Sequence, residues 1–403
     1  MSIVKIKVNF YDKEQKELLE KNFPKDFELL KKYDGNTIDI SLEDFKTYAY
    51  FRHQFIKSTG KHQTFLDLKP IAQNWGHYDR YFELQGDKLV NVYPERIEAT
   101  DVSEMIGVAG GLAVASEIYG LTQADWTKIP ITTAHKDFDF KHTSCISDRF
   151  INIESKGSVA DNNSAKESSV SNLKSNILEK KKDDGFKKKY DYGRDTCIGI
   201  ITVADKTNNL QSWLVDPPIE DLESSPEKVK LLKRLYFYHS IFRLMSKRSY
   251  LSITLANRIK AIELTSDYKN LDKVHLLNYS FDKIQLTESF INSRSRTKDK
   301  KVIGNTFLID KAIYFIGIEA DLINPIIYQN FDEILSLKTK TSTELTTLSC
   351  KISKRRGQDL SSSDNLKIKL TKQQDEDENY IHFEMNAEVI KNSSGLCIAQ
   401  QKL

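Results

Sequence analysis

Residues 137–157 read Asp137-Phe-Asp139-Phe-Lys-His-Thr-Ser-Cys145-Ile-Ser-Asp-Arg-Phe-Ile-Asn-Ile-Glu154-Ser155-Lys156-Gly157. Both ends alternate apolar and polar residues with a period of two, and the middle is turn-like, the pattern of two antiparallel strands joined by a loop. With the loop centred near Cys145 and Ile146, Glu154 falls opposite Asp137; a register shifted by two places it opposite Asp139. Glu154 and Lys156 are two apart on one strand and leave the same face, while Ile151, Ile153 and Ser155 leave the other. One face of the hairpin is therefore expected to carry Asp, Glu and Lys together.

Two carboxylates at that spacing repel, and a shared hard cation such as Mg2+, bound through oxygens, relieves the repulsion. A lysine beside them can hold and polarise a cation-bound water or neutralise charge developing on a phosphate. The bland alternative is a solvated strand face on which Glu154 and Lys156 only balance charge.

The pattern of Asp137, sixteen residues, then Glu154-Ser155-Lys156 resembles the PD-(D/E)xK nuclease superfamily, which carries an acid at the start of one strand and Glu-x-Lys on the next. Lys136 stands where a proline often precedes the acid, and Asp139 competes with Asp137 for the role. The resemblance implies an α/β fold, with a restriction-endonuclease-like mixed-sheet core over residues 101–218. It implies that Asp137 or Asp139, together with Glu154, holds Mg2+ (or Mn2+), that the main-chain carbonyl of Ser155 adds a ligand, and that Lys156 works on the attacking water. A helix before the hairpin often lends an acid to the metal site in that superfamily; Glu117 is the candidate here, with Glu104 behind it. The implied reaction is phosphodiester hydrolysis, of DNA first and of RNA as the open alternative, and by analogy a place in bacterial restriction or phage defence. A homodimer with two paired active sites, or a protein partner subunit, is compatible with such an enzyme.

The flanking sequence supplies the helices such a core needs. Thr100-Asp101 offers an N-cap, and Ile106, Ala109, Leu112, Ala113 and Ile118 mark a buried helix running to Leu121. Gly107, Gly110 and Gly111 lack the Gly-Lys-Ser/Thr ending and the preceding strand of a phosphate loop, which leaves close helix packing as their reason. After Gly157 a polar loop, Ser158 to Ser169, leads to a helix at about 169–182 with Val170, Leu173, Ile177 and Leu178 on one face. Lys174, Lys180, Lys181, Lys182, Lys187, Lys188 and Lys189 crowd its end, as a solvated helix terminus or as a phosphate-contacting patch for nucleic acid. Apolar strands at Cys197 to Ala204 and Gln211 to Val215 follow.

Residues 1–100 read as a separate α+β module: a strand through Val4, Ile6, Val8 and Phe10, helical segments from Lys13 to Lys32 broken at Pro24, a strand at Thr37 to Ile40, a helix from Leu42, and a hairpin turning at Gln85-Gly86-Asp87. The aromatics Tyr48, Tyr50 and Phe51 at helical spacing are expected in its core. Residues 219–403 read as a helical-then-β module, opening with Ser224-Ser225-Pro226-Glu227 and a second helix near Ser252 to Glu263. Strands are expected at Val274 to Phe281, Thr306 to Ile309, Ala312 to Glu319, Leu366 to Leu370 and Tyr380 to Ile390. Basic loops at Arg294 to Lys301 and at Lys354-Arg355-Arg356-Gly357 suit contact with DNA, contact with a protein partner, or simple solubility.

At 403 residues the chain is long enough for two or three domains, and 39% apolar with 10% aromatic residues suffices to bury their cores. A net charge of +3 is too small for whole-molecule attraction to polyanions, so nucleic-acid binding would rest on local lysine clusters. Cys145, Cys197, Cys350 and Cys397 show no metal-ligand spacing, which argues against a zinc site or a disulfide scaffold and suits a reducing cytoplasm. No run reaches the ~18 apolar residues of a membrane span. A second reading from a different class is a catalytically silent scaffold or nucleic-acid-binding subunit, in which the Lys180 to Lys189 cluster binds without metal.

Overall fold

The computed structural model describes residues 2–52, 56–57, 69–92, 100–128, 140–144, 149–180, 195–215, 226–245, 249–265, 268–271, 294–309, 312–328, 330–353, 369–370 and 380–402. Among these the chain is mixed α/β and separates into two compact units, the second beginning at Arg234.

Alternation in β1 (Ile3–Phe10) buries Val4, Ile6 and Val8 completely while Lys5, Lys7 and Asn9 face outward. Asp12 then caps α1 (Lys13–Asn22) by accepting from the Gln15 N–H at 2.8 Å. Pro24 starts α2 (Pro24–Lys31), so the helical stretch breaks where its ring forbids continuation. β2 (Thr37–Ser41) ends in Ser41, whose hydroxyl caps α3 (Leu42–Tyr50), and Tyr48, Tyr50 and Phe51 are buried as their spacing foretold. β3 (Ile56–Lys57) and α4 (Lys69–Tyr81) precede the hairpin of β4 (Phe82–Gln85) and β5 (Lys88–Asn91), which turns through Gly86 at φ +70°.

The remaining elements of this unit are α5 (Thr100–Tyr119), β6 (Thr127–Lys128), β7 (Phe140–Ser144), β8 (Arg149–Val159), α6 (Ser168–Lys180), β9 (Asp195–Ala204) and β10 (Leu210–Val215). They build one eight-stranded sheet in the order β2-β1-β10-β9-β8-β7-β6-β3. Within it β8 and β9, β1 and β10, and β3 and β6 run parallel, and the other neighbours run antiparallel. This corrects the expected boundary near residue 100. Residues 1–100 are not a separate module, because β1 pairs along β10 from Ile6↔Leu210 to Phe10↔Leu214 and carries β2 on its other edge. A strand pairing across so long a separation leaves no local mark in the sequence.

Helix α5 lies on one face of β8 and β9 at a distance only glycine permits. A Cβ on Gly107 would stand 2.4 Å from the Gly157 nitrogen, one on Gly157 would stand 1.9 Å from the Ser103 carbonyl oxygen, and one on Gly110 would stand 2.3 Å from Thr202. The glycines serve packing, as expected. Among the described residues α5 is the one helix long and apolar enough to cross a membrane, and 83% of its apolar window is buried in the fold. Helix α6 packs on the opposite face, where Val170 and Ile177 join Ile201, Val203 and Val215 in an apolar cluster. Gly199 admits it: a Cβ there would meet Ile177 at 3.1 Å.

The second unit holds helices Pro226–Met245 (from Arg234 onward) and Tyr250–Glu263, then β11 (Ser295–Thr297), β12 (Val302–Ile309), β13 (Ala312–Glu319), the short helices Ile323–Tyr328 and Phe331–Ser336, β14 (Ser342–Ser353), β15 (Lys369–Leu370), β16 (Tyr380–Lys391) and β17 (Leu396–Lys402). The strands pair antiparallel in the order β14-β11-β12-β13-β17-β16, and β14 also pairs with β16, which closes six strands into a barrel with β15 attached to β16. Its interior contains Ile313, Phe315, Leu348, Ile352, Phe383, Met385 and the thiols Cys350 and Cys397, free of disulfides and pushed up in pKa by burial. Arg234, buried in this unit, donates to the carbonyls of Ile334, Leu335 and Leu337 and so satisfies the end of helix Phe331–Ser336. Two expectations need correction. The unit boundary lies at Arg234, inside the helix expected to open a module at 219, and the basic loop Arg294 to Lys301 contains a short strand, since β11 pairs with β12 and β14. The strand expected at Val274 to Phe281, together with Arg355 and Arg356, lies outside the described residues.

The α5–β8 contact has main chain on both sides, so no flexible side chain can yield to an added methyl. Gly157→Ala is expected to cost at least about 3 kcal/mol in urea unfolding. Gly199→Ala, whose Cβ would meet Ile177 and Val215 side-chain carbons at 3.1–3.3 Å and no backbone atom nearer, should cost less, about 1 kcal/mol.

Candidate active site

The alternation of β8 sorts its residues onto two faces. Ser155 donates its hydroxyl to the Gly107 carbonyl of α5, which places Ile151, Ile153, Ser155 and Gly157 under that helix. Ser158 is hydrogen-bonded to Ser169 of α6 at 2.9 Å, which places Asn152, Glu154, Lys156 and Ser158 on the other face. Glu154 and Lys156 thus project together, and Lys156 Nζ lies 2.8 Å from Glu154 Oε1. Glu154 is completely buried and the Lys156 side chain is 29% exposed. The solvated strand face offered as the bland reading is excluded for Glu154.

Its neighbours across the sheet sharpen the point. In register Glu154 lies beside Gly199, and Lys156 beside Ile201, one of the apolar residues under α6. Burying the Glu154 charge against a partly exposed ammonium costs more desolvation than the attraction returns unless the geometry is excellent, so an apolar pair here would stabilise the sheet as well or better. The ion pair therefore has no reason in stability alone.

The hairpin pairs Phe140 with Ile153 and Lys141 with Asn152. This is the register shifted by two, not the one that sets Asp137 against Glu154; Asp137 and Asp139 themselves lie outside the described residues. So do Lys181, Lys182, Lys187, Lys188 and Lys189, while Lys180 is the last residue of α6. Lys174, counted with that cluster, is occupied elsewhere: it bonds Asp12 Oδ2 at 2.5 Å and lies over the Tyr11 ring. Partial burial pushes the Asp12 carboxyl up, but bonds from Lys174 and from the Gln15 N–H hold it below its ordinary value.

The acids expected from the preceding helix are not brought to Glu154. Helix α5 covers the Ser155 face, Glu104 pairs with the buried Arg52 at 3.6 Å, and Glu117 is exposed beside Tyr33, whose phenol is pushed up by burial and by the Glu117 charge. A helix on the opposite side of a sheet turns its exposed residues to solvent, not through the strands. Among the described residues no three His, Cys, Asp or Glu side chains converge. Asn152, two residues before Glu154, is the residue of this face that reading by charge passes over; the polar series Asn152, Glu154, Lys156, Ser158 on a buried strand was the available signal.

The donors present on this face are hard oxygens, Glu154 and the Asn152 carboxamide, beside one ammonium. They suit a Mg2+-like cation and not a soft metal. No family model, curated protein or solved structure matches the chain.

The two charges should respond unequally to removal. Lys156→Met takes the ammonium from a fully buried carboxylate and is expected to cost about 3 kcal/mol. Glu154→Gln leaves a lysine that can turn its head to water and should cost under about 1 kcal/mol, or raise the melting temperature. Chemical and thermal unfolding in EDTA measures both.

Proposed function

We propose that residues 101–218 form the catalytic core of a metal-dependent nuclease of the PD-(D/E)xK type, hydrolysing phosphodiester bonds, of DNA in the first instance. The observation that carries the proposal is the fully buried Glu154 paired with the partly exposed Lys156 on one face of a central strand, two residues apart and 2.8 Å between charges. The order of elements supports it: helix α5, the β7–β8 hairpin, helix α6, then β9 parallel to β8 and β10 beside it. A restriction-endonuclease-like core requires that order.

On this reading Glu154 and the main-chain carbonyl of Ser155 would hold Mg2+ or Mn2+, with Asp137 or Asp139 as the first acid. The bound cation would supply Lewis acidity and a water of lowered pKa. Lys156, the partly exposed member of the pair, would orient the attacking water or the scissile phosphate, and its charge would offset the negative charge that builds on the phosphoryl oxygens. Glu154 keeps the ammonium aimed, since the two are locked on one strand face. Ile177 of α6, seated over Gly199 beside Glu154, and the apolar residues around it keep the carboxylate end of the pair dry, which strengthens its interactions. A place in bacterial restriction or phage defence, in a reducing cytoplasm, accompanies the proposal by analogy only.

The purified chain, with Glu154→Gln and Lys156→Ala as controls checked for folding by circular dichroism, is incubated with plasmid, linear and single-stranded DNA and with RNA. Cleavage by the wild type that needs Mg2+ or Mn2+, and falls at least about 10^3-fold in both variants, is the expected result. Metal-dependent cutting retained by Glu154→Gln would refute the assignment.

A further inference from the structure

Asn152 stands on the same face of β8 as Glu154 and Lys156, is completely buried, and among the described residues neither its Oδ1 nor its Nδ2 has a hydrogen-bond partner. The other side chains of that face are engaged, Lys156 with Glu154 and Ser158 with Ser169. A carboxamide offers two acceptor lone pairs and two donor hydrogens, and burying it unused costs free energy that an apolar residue of the same shape would not. In register its neighbours are Lys141 on β7 and Cys197 on β9. A sheet core does not need an amide here, whereas a bound ligand does.

The chemistry of the face narrows the ligand. Two positions along the strand stands a buried carboxylate, and amide carbonyl oxygens join carboxylates in the coordination shells of hard divalent cations. We infer that Asn152 is a further ligand residue of the cation centre built on Glu154, its Oδ1 bonding the cation or one of its waters while Nδ2 is left to donate to a phosphate oxygen. The inference rests on the metal-dependent reading of that site and adds a member that the Glu-x-Lys pattern does not contain. It explains why the polar series on β8 begins at residue 152.

Calorimetric titration with Mn2+ tests it on four proteins: wild type, Asn152→Leu, Asn152→Asp and Glu154→Ala, each with a melting curve in EDTA and in Mn2+. Asn152→Leu is expected to melt higher than wild type in EDTA, to bind Mn2+ at least about tenfold more weakly, and to lose the Mn2+-induced rise in melting temperature. Asn152→Asp keeps the oxygen and adds a charge, so its Mn2+ affinity should equal or exceed that of wild type. Should Asn152→Leu prove unfolded, the aspartate variant still decides, because weakened Mn2+ binding by a folded Asn152→Asp overturns the assignment. Unchanged binding by Asn152→Leu with binding lost in Glu154→Ala overturns the role of Asn152 and leaves the proposed function standing. Unchanged binding in Glu154→Ala, or none in the wild type, overturns both.

Discussion

The close seating of α5 on β8 governs the first unit. With Gly107 and Gly157 in backbone contact and Ser155 bonded to the Gly107 carbonyl, β8 cannot slip by one residue without driving a side chain into main chain. That single constraint fixes which residues face α5 and which face α6. Asn152, Glu154 and Lys156 are thereby committed to the second face, although two of the three are groups a buried strand would ordinarily exclude. Where such a strand has its alternation locked from one side, the other side can carry unfavourable side chains without loss of register.

The energetics of that other face run against stability. A carboxylate with no exposure, a partly exposed ammonium, and a carboxamide without hydrogen-bond partners among the described residues stand beside β9, whose own side chains under α6 are apolar. Departures of this kind from the local rules concentrate where a protein binds or reacts. The apolar cluster of Val170, Ile177, Ile201, Val203 and Val215 supplies the packing that offsets them, and Gly199 lets Ile177 come down next to Glu154 in the sheet. The dry surroundings that make the charges expensive also make them effective on a phosphate or a cation.

The second unit solves a different problem. Six antiparallel strands that close on themselves leave no free edge between β14 and β16, the usual liability of a β-rich module. Its two cysteines are interior side chains whose thiols are pushed up by burial, so they act as small apolar residues and not as nucleophiles or ligands.

Much of this was legible from local pattern. The period of two in β1 and β8, the break at Pro24, the Gly86 turn, the glycines of α5 and the apolar stripe of α6 are all written in neighbouring residues, because alternation, ring sterics and helix periodicity act over a few positions. So was the common face of Glu154 and Lys156. The barrel strands β11, β14 and β17 were passed over: β14 mixes Thr and Ser with its apolar residues, β11 is three residues long, and β17 turns from apolar to polar midway. What the amino-acid order could not contain was long-range. Pairing of β1 with β10 joins Ile6 to Leu210, the pairings of β11 with β14, β13 with β17 and β14 with β16 join strands far apart in sequence and close the barrel, and the shift of the hairpin by two residues depends on every strand in step with it. Burial of Glu154 and the unpartnered Asn152 amide among the described residues are likewise properties of the assembled sheet, since packing removes water from side chains that the sequence, read alone, would leave in solvent.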